Sequence, residues 1–191
     1  LGHTFKTECD TEVLLEAYLE WGQDCVSRLR GMFAFAIWDN RKGELFLARD
    51  RLGIKPLYYA SLPDGTFLFA SEMKALMKHP GLQRRLRLDA VEDYLALGYV
   101  PDPKSILTGV EKLPPAHCLI LSKDTGRFDL YRYWQLDMAT PSVVDEDTDE
   151  LLERLEEAVK LRMIADGRSG SSSVTSTVTG SLIWQRLQWL M

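Results

Sequence analysis

Residues 32–49 constrain this chain more than any other stretch. "MFAFAIWD" is a continuous apolar run. In an extended chain it puts Phe33, Phe35 and Ile37 on one side, with small residues and Trp38 on the other. Both sides are apolar, so a strand made from it must be buried on both faces. "NRKG" then reads as a hairpin turn and "ELFLARD" as the returning strand.

The flanking sequence changes period. Ahead of the hairpin, "CDTEVLLEAYLEWG" carries Val13, Leu14, Ala17, Tyr18 and Trp21 at helical spacing, with Asp10 at an N-cap position and Gly22 as a stop. "QDCVSRLR" predicts a second short helix ending at Gly31. After the loop "RLGIKP", the strands "LYYAS" and "TFLFAS" are joined by "LPDG", so residues 32–70 predict an antiparallel meander. "EMKALMKH" predicts a short helix stopped by Pro80. "DAVEDYLALG" predicts another, with Asp89 and Glu92 as a capping box and Gly98 as its stop. "HCLILS" and "RFDLYRYW" form a further hairpin around "KDTG". The polar stretch "ATPSVVDEDTD" then leads into a helix striped by Leu151, Leu152, Leu155, Val159 and Met163, running to about Ile164. Hairpin-paired strands with helices before and after predict an α+β domain on antiparallel sheet.

The 191 residues suffice for one domain or one and a half. A net charge of −5 gives no general affinity for polyanions. The short cluster Arg84, Arg85 and Arg87 reads as a solvated face rather than a nucleic-acid patch. No apolar run approaches the ~20 residues that span a bilayer. Cys9, Cys25 and Cys118 are odd in number and widely spaced, which predicts reduced thiols in a cytoplasmic setting. His3, His79 and His117 are scattered without ligand spacing, so no metal site is expected from them.

The segment "SRLRGMFAFAIWDNRKGELFLARDRLGIKPLYYA" resembles the glutamine-hydrolysing asparagine synthetases, amidotransferases with an N-terminal nucleophile. The similarity continues through "GHTFKTECDTEV", "FASEMKAL", "LPPAHCLIL", "YRYW" and "LLERLEEAVKLRMIAD", and so spans about residues 2–166. It implies a sandwich of two antiparallel sheets flanked by helices, here incomplete, followed by the first helix of a synthetase domain. It also implies a thiolate, on an N-terminal cysteine whose own α-amino group is the base, that attacks the side-chain amide of glutamine. Ammonia then passes to a second domain that adenylates aspartate with ATP and Mg²⁺, held by a glycine-rich loop. The resemblance allows a homodimer and gives no role to nucleic acid or membrane.

The chain departs from the pattern at both ends and reads as a fragment. The nucleophile and the asparagine–glycine oxyanion donors would lie before it. None of its cysteines is N-terminal, so no catalytic residue is assigned. Cys9 stands where the family commonly has serine and is not the nucleophile; Cys25 and Cys118 read as small buried residues. After "MIAD", "GRSGSSSVTSTVTG" replaces the paired glycines and aspartate of the ATP loop, so neither ATP nor Mg²⁺ is expected to bind this chain. A shifted reading frame or rearranged gene end is the favoured origin of that tract, with a flexible linker as the alternative. The division implied is 1–137 as part of a glutaminase domain, 138–166 as linker and first synthetase helix, and 167–191 as an aberrant tail.

Asp10 is the one position carried over as substrate-binding: the resemblance has it hold the α-ammonium of glutamine. On the bare sequence it is equally a helix cap. Arg49, Asp50, Arg51 and Gly53 look like a catalytic loop, but the preferred reading is internal ion pairs holding a turn. Glu72 and Lys74 either pair with neighbours or face an interdomain channel. The expected function is amide transfer from glutamine to aspartate in the parent enzyme, with the chain alone inactive. A related amidotransferase with a sugar or small-metabolite acceptor, or a non-catalytic scaffold, is the alternative.

Overall fold

The structure is a computed structural model that describes residues 5–7, 9–137 and 148–162. The chain divides into two units, residues 1–135 and 136–191. In the first, seven strands form two antiparallel sheets among the described residues. The larger sheet has the order β1-β2-β6-β7, from Ala34–Asp39, Glu44–Arg49, His117–Ser122 and Phe128–Arg132. The smaller has the order β4-β3-β5, from Phe67–Ala70, Tyr58–Ser61 and Glu111–Lys112.

This corrects the meander. Residues 32–70 form two hairpins, as their turns dictate, but the hairpins lie in different sheets. β2 pairs on its second side with β6, Leu47 opposite Leu119, instead of with β3. The alternation of β1 and β2 is the reason. Phe35, Ile37 and Phe46 face one way, while Ala36, Leu45 and Leu47 face the other, and both sets are buried. A sheet with two apolar faces needs cover on each, and the second hairpin supplies one cover by stacking rather than by extending the sheet.

The layers follow. On one side of the large sheet lie α1 (Asp10–Trp21) and α2 (Cys25–Arg28), which contribute Ala17, Tyr18, Cys25 and Val26 to a core with Phe35, Phe46 and Cys118. Between the sheets, Leu47 and Leu119 pack with Leu57, Tyr59 and Leu113. Beyond the small sheet, Ala60 and Leu62 meet Leu76 of α3 (Met73–Leu76), Leu82, Leu107 and Val110. The α+β sandwich flanked by helices is therefore as expected.

The helix ends differ from expectation. Cys9, with extended backbone, is the N-cap of α1, and Asp10 is its first helical residue. Leu88 opens α4 (Leu88–Leu97), so Asp89 lies inside the helix and forms ion pairs with Arg87 and Lys104 instead of capping. A carboxylate near a basic side chain gains more from the charge than from a cap. Gly98 does stop α4 in left-handed conformation at φ 80°. α2 ends at Arg28 rather than at Gly31, because Leu29 turns extended toward β1. Val13 lies outside the buried face of α1. Of the basic cluster, Arg87 pairs with Glu111 and Arg84 bonds the Met77 carbonyl. In the second unit, α5 (Thr148–Arg162) carries Leu151, Leu152, Leu155 and Val159 exposed, with Glu150–Arg154 and Glu156–Lys160 pairs one turn apart. Met163, the 138–147 stretch and the 163–191 tail lie outside the described residues.

Candidate functional site

Asp10 sits exposed at the first position of α1, a helix anchored on the large sheet by Ala17 and Tyr18. Its carboxylate accepts from the Thr11 hydroxyl at 3.4 Å. The helix N-terminus behind it leaves backbone N–H groups pointing outward. The segment before Asp10 is held by Glu12, to which the sequence reading above gives no role. Its carboxylate accepts from the backbone N–H of Lys6 at 2.9 Å and of Thr7 at 2.8 Å, and from the Thr7 hydroxyl. The Thr7 hydroxyl bond, then the Lys6 amide, holds Glu12 below the usual carboxylate range. The segment entering α1 is thus folded back over the first turn, and the backbone N–H of Cys9 donates to Thr7 Oγ1.

The second cluster surrounds the end of β2. Arg49 is buried, and its guanidinium donates to the carbonyls of Gly53, Lys55 and Leu113 and to Asp102 at 3.1 Å. Asp102 also pairs with Lys112 at 3.2 Å. The sequence reading of internal ion pairs holds for Arg49. It is corrected for Asp50, which is buried and accepts the backbone N–H groups of Leu52, Ile54 and Lys55. Three amide donors satisfy a carboxylate as well as a cation does and fix the loop directly. Tyr133, just past β7, donates its hydroxyl to the Arg49 carbonyl at 2.9 Å. Arg51 reaches the Ser27 carbonyl at 3.0 Å and lies over the Trp134 ring. Residues 50–56 are therefore a clamped structural loop. No hydrogen bond or ion pair joins it to Asp10 among the described residues. Its distant partners, Asp102, Leu113 and Tyr133, give no local sequence signal.

Glu72 and Lys74 border a shallow concavity with Pro56, Tyr58, Ser71 and Met73, and both are exposed. Cys25 and Cys118 are fully buried, and loss of solvent pushes their thiols up to about 11 and about 12. A thiol so far from ionisation at neutral pH is a packing group. Cys9 is exposed, but its nitrogen is a peptide amide and cannot serve as a free amine base.

A family model described as a glutamine amidotransferase domain matches residues 1–134. The chain belongs to this family. Among its relatives, the asparagine synthetase [glutamine-hydrolyzing] 3 of Bacillus subtilis is 37% identical over 189 residues, covering 94% of this chain and 30% of that protein. The asparagine synthetase [glutamine-hydrolyzing] 1 of the same organism is 36% identical over 174 residues, covering 89% of this chain and 27% of that one. The chain thus spans about 30% of the length of these curated relatives. A solved glutamine phosphoribosylpyrophosphate amidotransferase from B. subtilis superposes with a TM-score of 0.45 at 21% identity, over 71% of this chain and 25% of that one. Asp10 stands exposed at the head of α1, and the Arg49 loop is held by its own internal bonds.

Proposed function

We propose that this amidotransferase chain is the glutaminase-side portion of an asparagine synthetase, and that Asp10 binds the α-ammonium of glutamine. The observation that carries the reading is the 37% identity to a glutamine-hydrolysing asparagine synthetase, which runs through 94% of the chain. It is supported by an exposed carboxylate at the head of α1. The carboxylate orients the amino acid by a charge-assisted hydrogen bond. The thiolate that would attack the amide is not supplied by Cys9, Cys25 or Cys118, so the chain alone has no glutaminase activity. Purified chain incubated with glutamine is expected to release glutamate at the uncatalysed rate; release well above it overturns this assignment of the cysteines.

ATP and Mg²⁺ drive the second half of the proposed reaction. Among the described residues no group of three or more His, Cys, Asp or Glu is arranged to hold a metal ion. No step is routed through ATP or Mg²⁺. The division into a glutaminase part at 1–137, a linker with the first synthetase helix at 138–166 and a tail at 167–191 belongs to the same proposal, as does a cytoplasmic setting.

The test is a chimera in which residues 2–166 replace the matching segment of the B. subtilis synthetase. It is expected to make asparagine with glutamine as nitrogen donor. A chimera active with ammonia but not with glutamine sinks the reading. Within an active chimera, Asp10→Asn is expected to raise the KM for glutamine by one to two powers of ten, the cost of about 1.5–3 kcal/mol for one charged contact. Activity with free ammonia should be unchanged. Equal loss with both donors would make Asp10 a purely structural residue of α1.

A further inference from the structure

The carboxylate proposed to hold glutamine is itself weakly held. Asp10 accepts from the Thr11 hydroxyl at 3.4 Å and from the Cys9 thiol at 3.7 Å. The first bond is long, and a thiol is a weak donor. A group that must meet an ammonium in one orientation has to be kept in place by its surroundings. Little of that restraint comes from the side-chain contacts of Asp10, so it comes from the backbone at the entry to α1.

That backbone is tied into a closed network. The Cys9 N–H donates to Thr7 Oγ1 at 3.3 Å, and the Thr7 hydroxyl donates onward to Glu12 Oε2. The N–H groups of Lys6 and Thr7 donate to Glu12 Oε1 and Oε2 at 2.9 and 2.8 Å. The Glu12 N–H in turn donates to the Cys9 carbonyl at 3.1 Å. A capping-box glutamate bonds the amide of the cap residue itself. Here Thr7 already takes that amide, and the Glu12 carboxylate reaches five and six residues back instead. Further out, Phe5 borders a concavity with Val13, Ala17 and Trp21 of α1. Capping the helix needs none of this longer span. Its effect is to fix the turn that delivers Asp10.

We propose that Glu12 is a positioning residue for glutamine: acting with Thr7, it fixes the turn before α1 and so aims the Asp10 carboxylate at the α-ammonium of the substrate. This rests on the reading of Asp10 given above. Glu12 itself touches no substrate. Its chemistry suits the task because an ionised carboxylate only accepts, and three donors converge on it. Glu12→Gln keeps the size but turns an amide donor toward one of those donors. At Thr7 the hydroxyl both donates and accepts, and Thr7→Val keeps the shape while removing both functions.

The test uses the active chimera. Glu12→Gln is expected to raise the KM for glutamine about tenfold, within the range for residues coupled in one hydrogen-bond network. Turnover at saturating glutamine and activity with free ammonia should be unchanged, the pattern of lost substrate binding alone. Thr7→Val should act in the same direction, and Thr7→Ser, which restores the hydroxyl, should bring KM back. The decisive arm is a double-mutant cycle with Asp10→Asn. In that background Glu12→Gln should add less than about twofold, because the group it aims is gone. Asp10→Asn raising KM beside a Glu12→Gln that does not overturns the positioning role and leaves the reading of Asp10 standing. Asp10→Asn without effect on KM overturns that reading and the positioning role with it. Fully multiplicative effects in the cycle overturn the route through Asp10. Equal loss with glutamine and ammonia, or a Thr7→Ser no better than Thr7→Val, reduces Glu12 to a structural residue of α1 and also overturns the proposal. If Glu12→Gln fails to fold, the two Thr7 variants decide.

Discussion

At the scale of the residue, Gly53 shows how tightly the loop after β2 is held. It sits at φ +66°, and a Cβ added there would lie 2.7 Å from Pro115 Cγ and 3.1 Å from Arg49 Cζ. Backbone conformation and space both demand glycine. Gly53→Ala is expected to cost about 2 kcal/mol, within the range for a non-glycine residue held in this region. Denaturant unfolding should report it as a lower midpoint at unchanged slope. An unchanged midpoint would mean that the Arg49 guanidinium and the Pro115 ring move aside freely, and the clamp would be looser than its four bonds indicate. Asp10 belongs to the opposite class of residue. Among the described residues its side chain bonds only Thr11 and Cys9, and those contacts do not distinguish a substrate ligand from a helix residue. Its proposed role was legible only through resemblance. The Arg49 clamp was legible in outline, because a buried strand ending in Arg–Asp before glycine reads as a held turn. Its partners were not, because Asp102 and Leu113 come close only after the sheets have stacked.

At the scale of the element, the start of α1 separates two things that look alike in sequence. In "CDTE", the cap position falls to Cys9 and makes no side-chain cap bond. Glu12 does reach back, but to Lys6 and Thr7 rather than to Cys9. Sulfur is a weak acceptor, so the first turn keeps orphan amides that an oxygen would satisfy. Cys9→Ser is expected to stabilise the protein by about 0.5–1 kcal/mol, the lower part of the usual capping range. A shift of the denaturation midpoint upward at constant slope is the readout. A downward shift would show that the thiol packs usefully against Asp10. The hairpins were readable for the same reason that the cap was half-readable, since "NRKG", "LPDG" and "KDTG" are local turns with local chemistry. Which sheet each hairpin enters is not local. β2 lies some seventy residues from β6 in the chain, and the choice between β3 and β6 depends on whether a flat apolar face is covered by stacking or by lateral growth.

At the scale of the whole first unit, the core between α1, α2 and the large sheet buries several groups that ionise only in alkali. Desolvation raises Cys25 from 9.0 to about 11, Cys118 from 9.0 to about 12 and Tyr18 from 10.0 to about 12. In each case the folded state keeps a proton that the unfolded chain releases. The stability this represents is complete below the unfolded values and is lost as pH rises through the folded ones. The window is therefore pH 9 to about 12, well above any effect of the surface carboxylates. The denaturation midpoint should be level from neutral pH to about 9 and fall steadily beyond it. Cys118→Ala separates this from general alkaline damage. The variant loses a buried sulfur, so it should be less stable at neutral pH by about 1 kcal/mol. It also loses one of the titrating groups, so its decline above pH 9 should be shallower than that of the parent. Parallel curves for the two proteins would mean that the Cys118 thiolate is accommodated in the fold. The core on this side of the sheet would then be open enough to admit water, contrary to the complete burial of Cys25, Ala48 and Cys118.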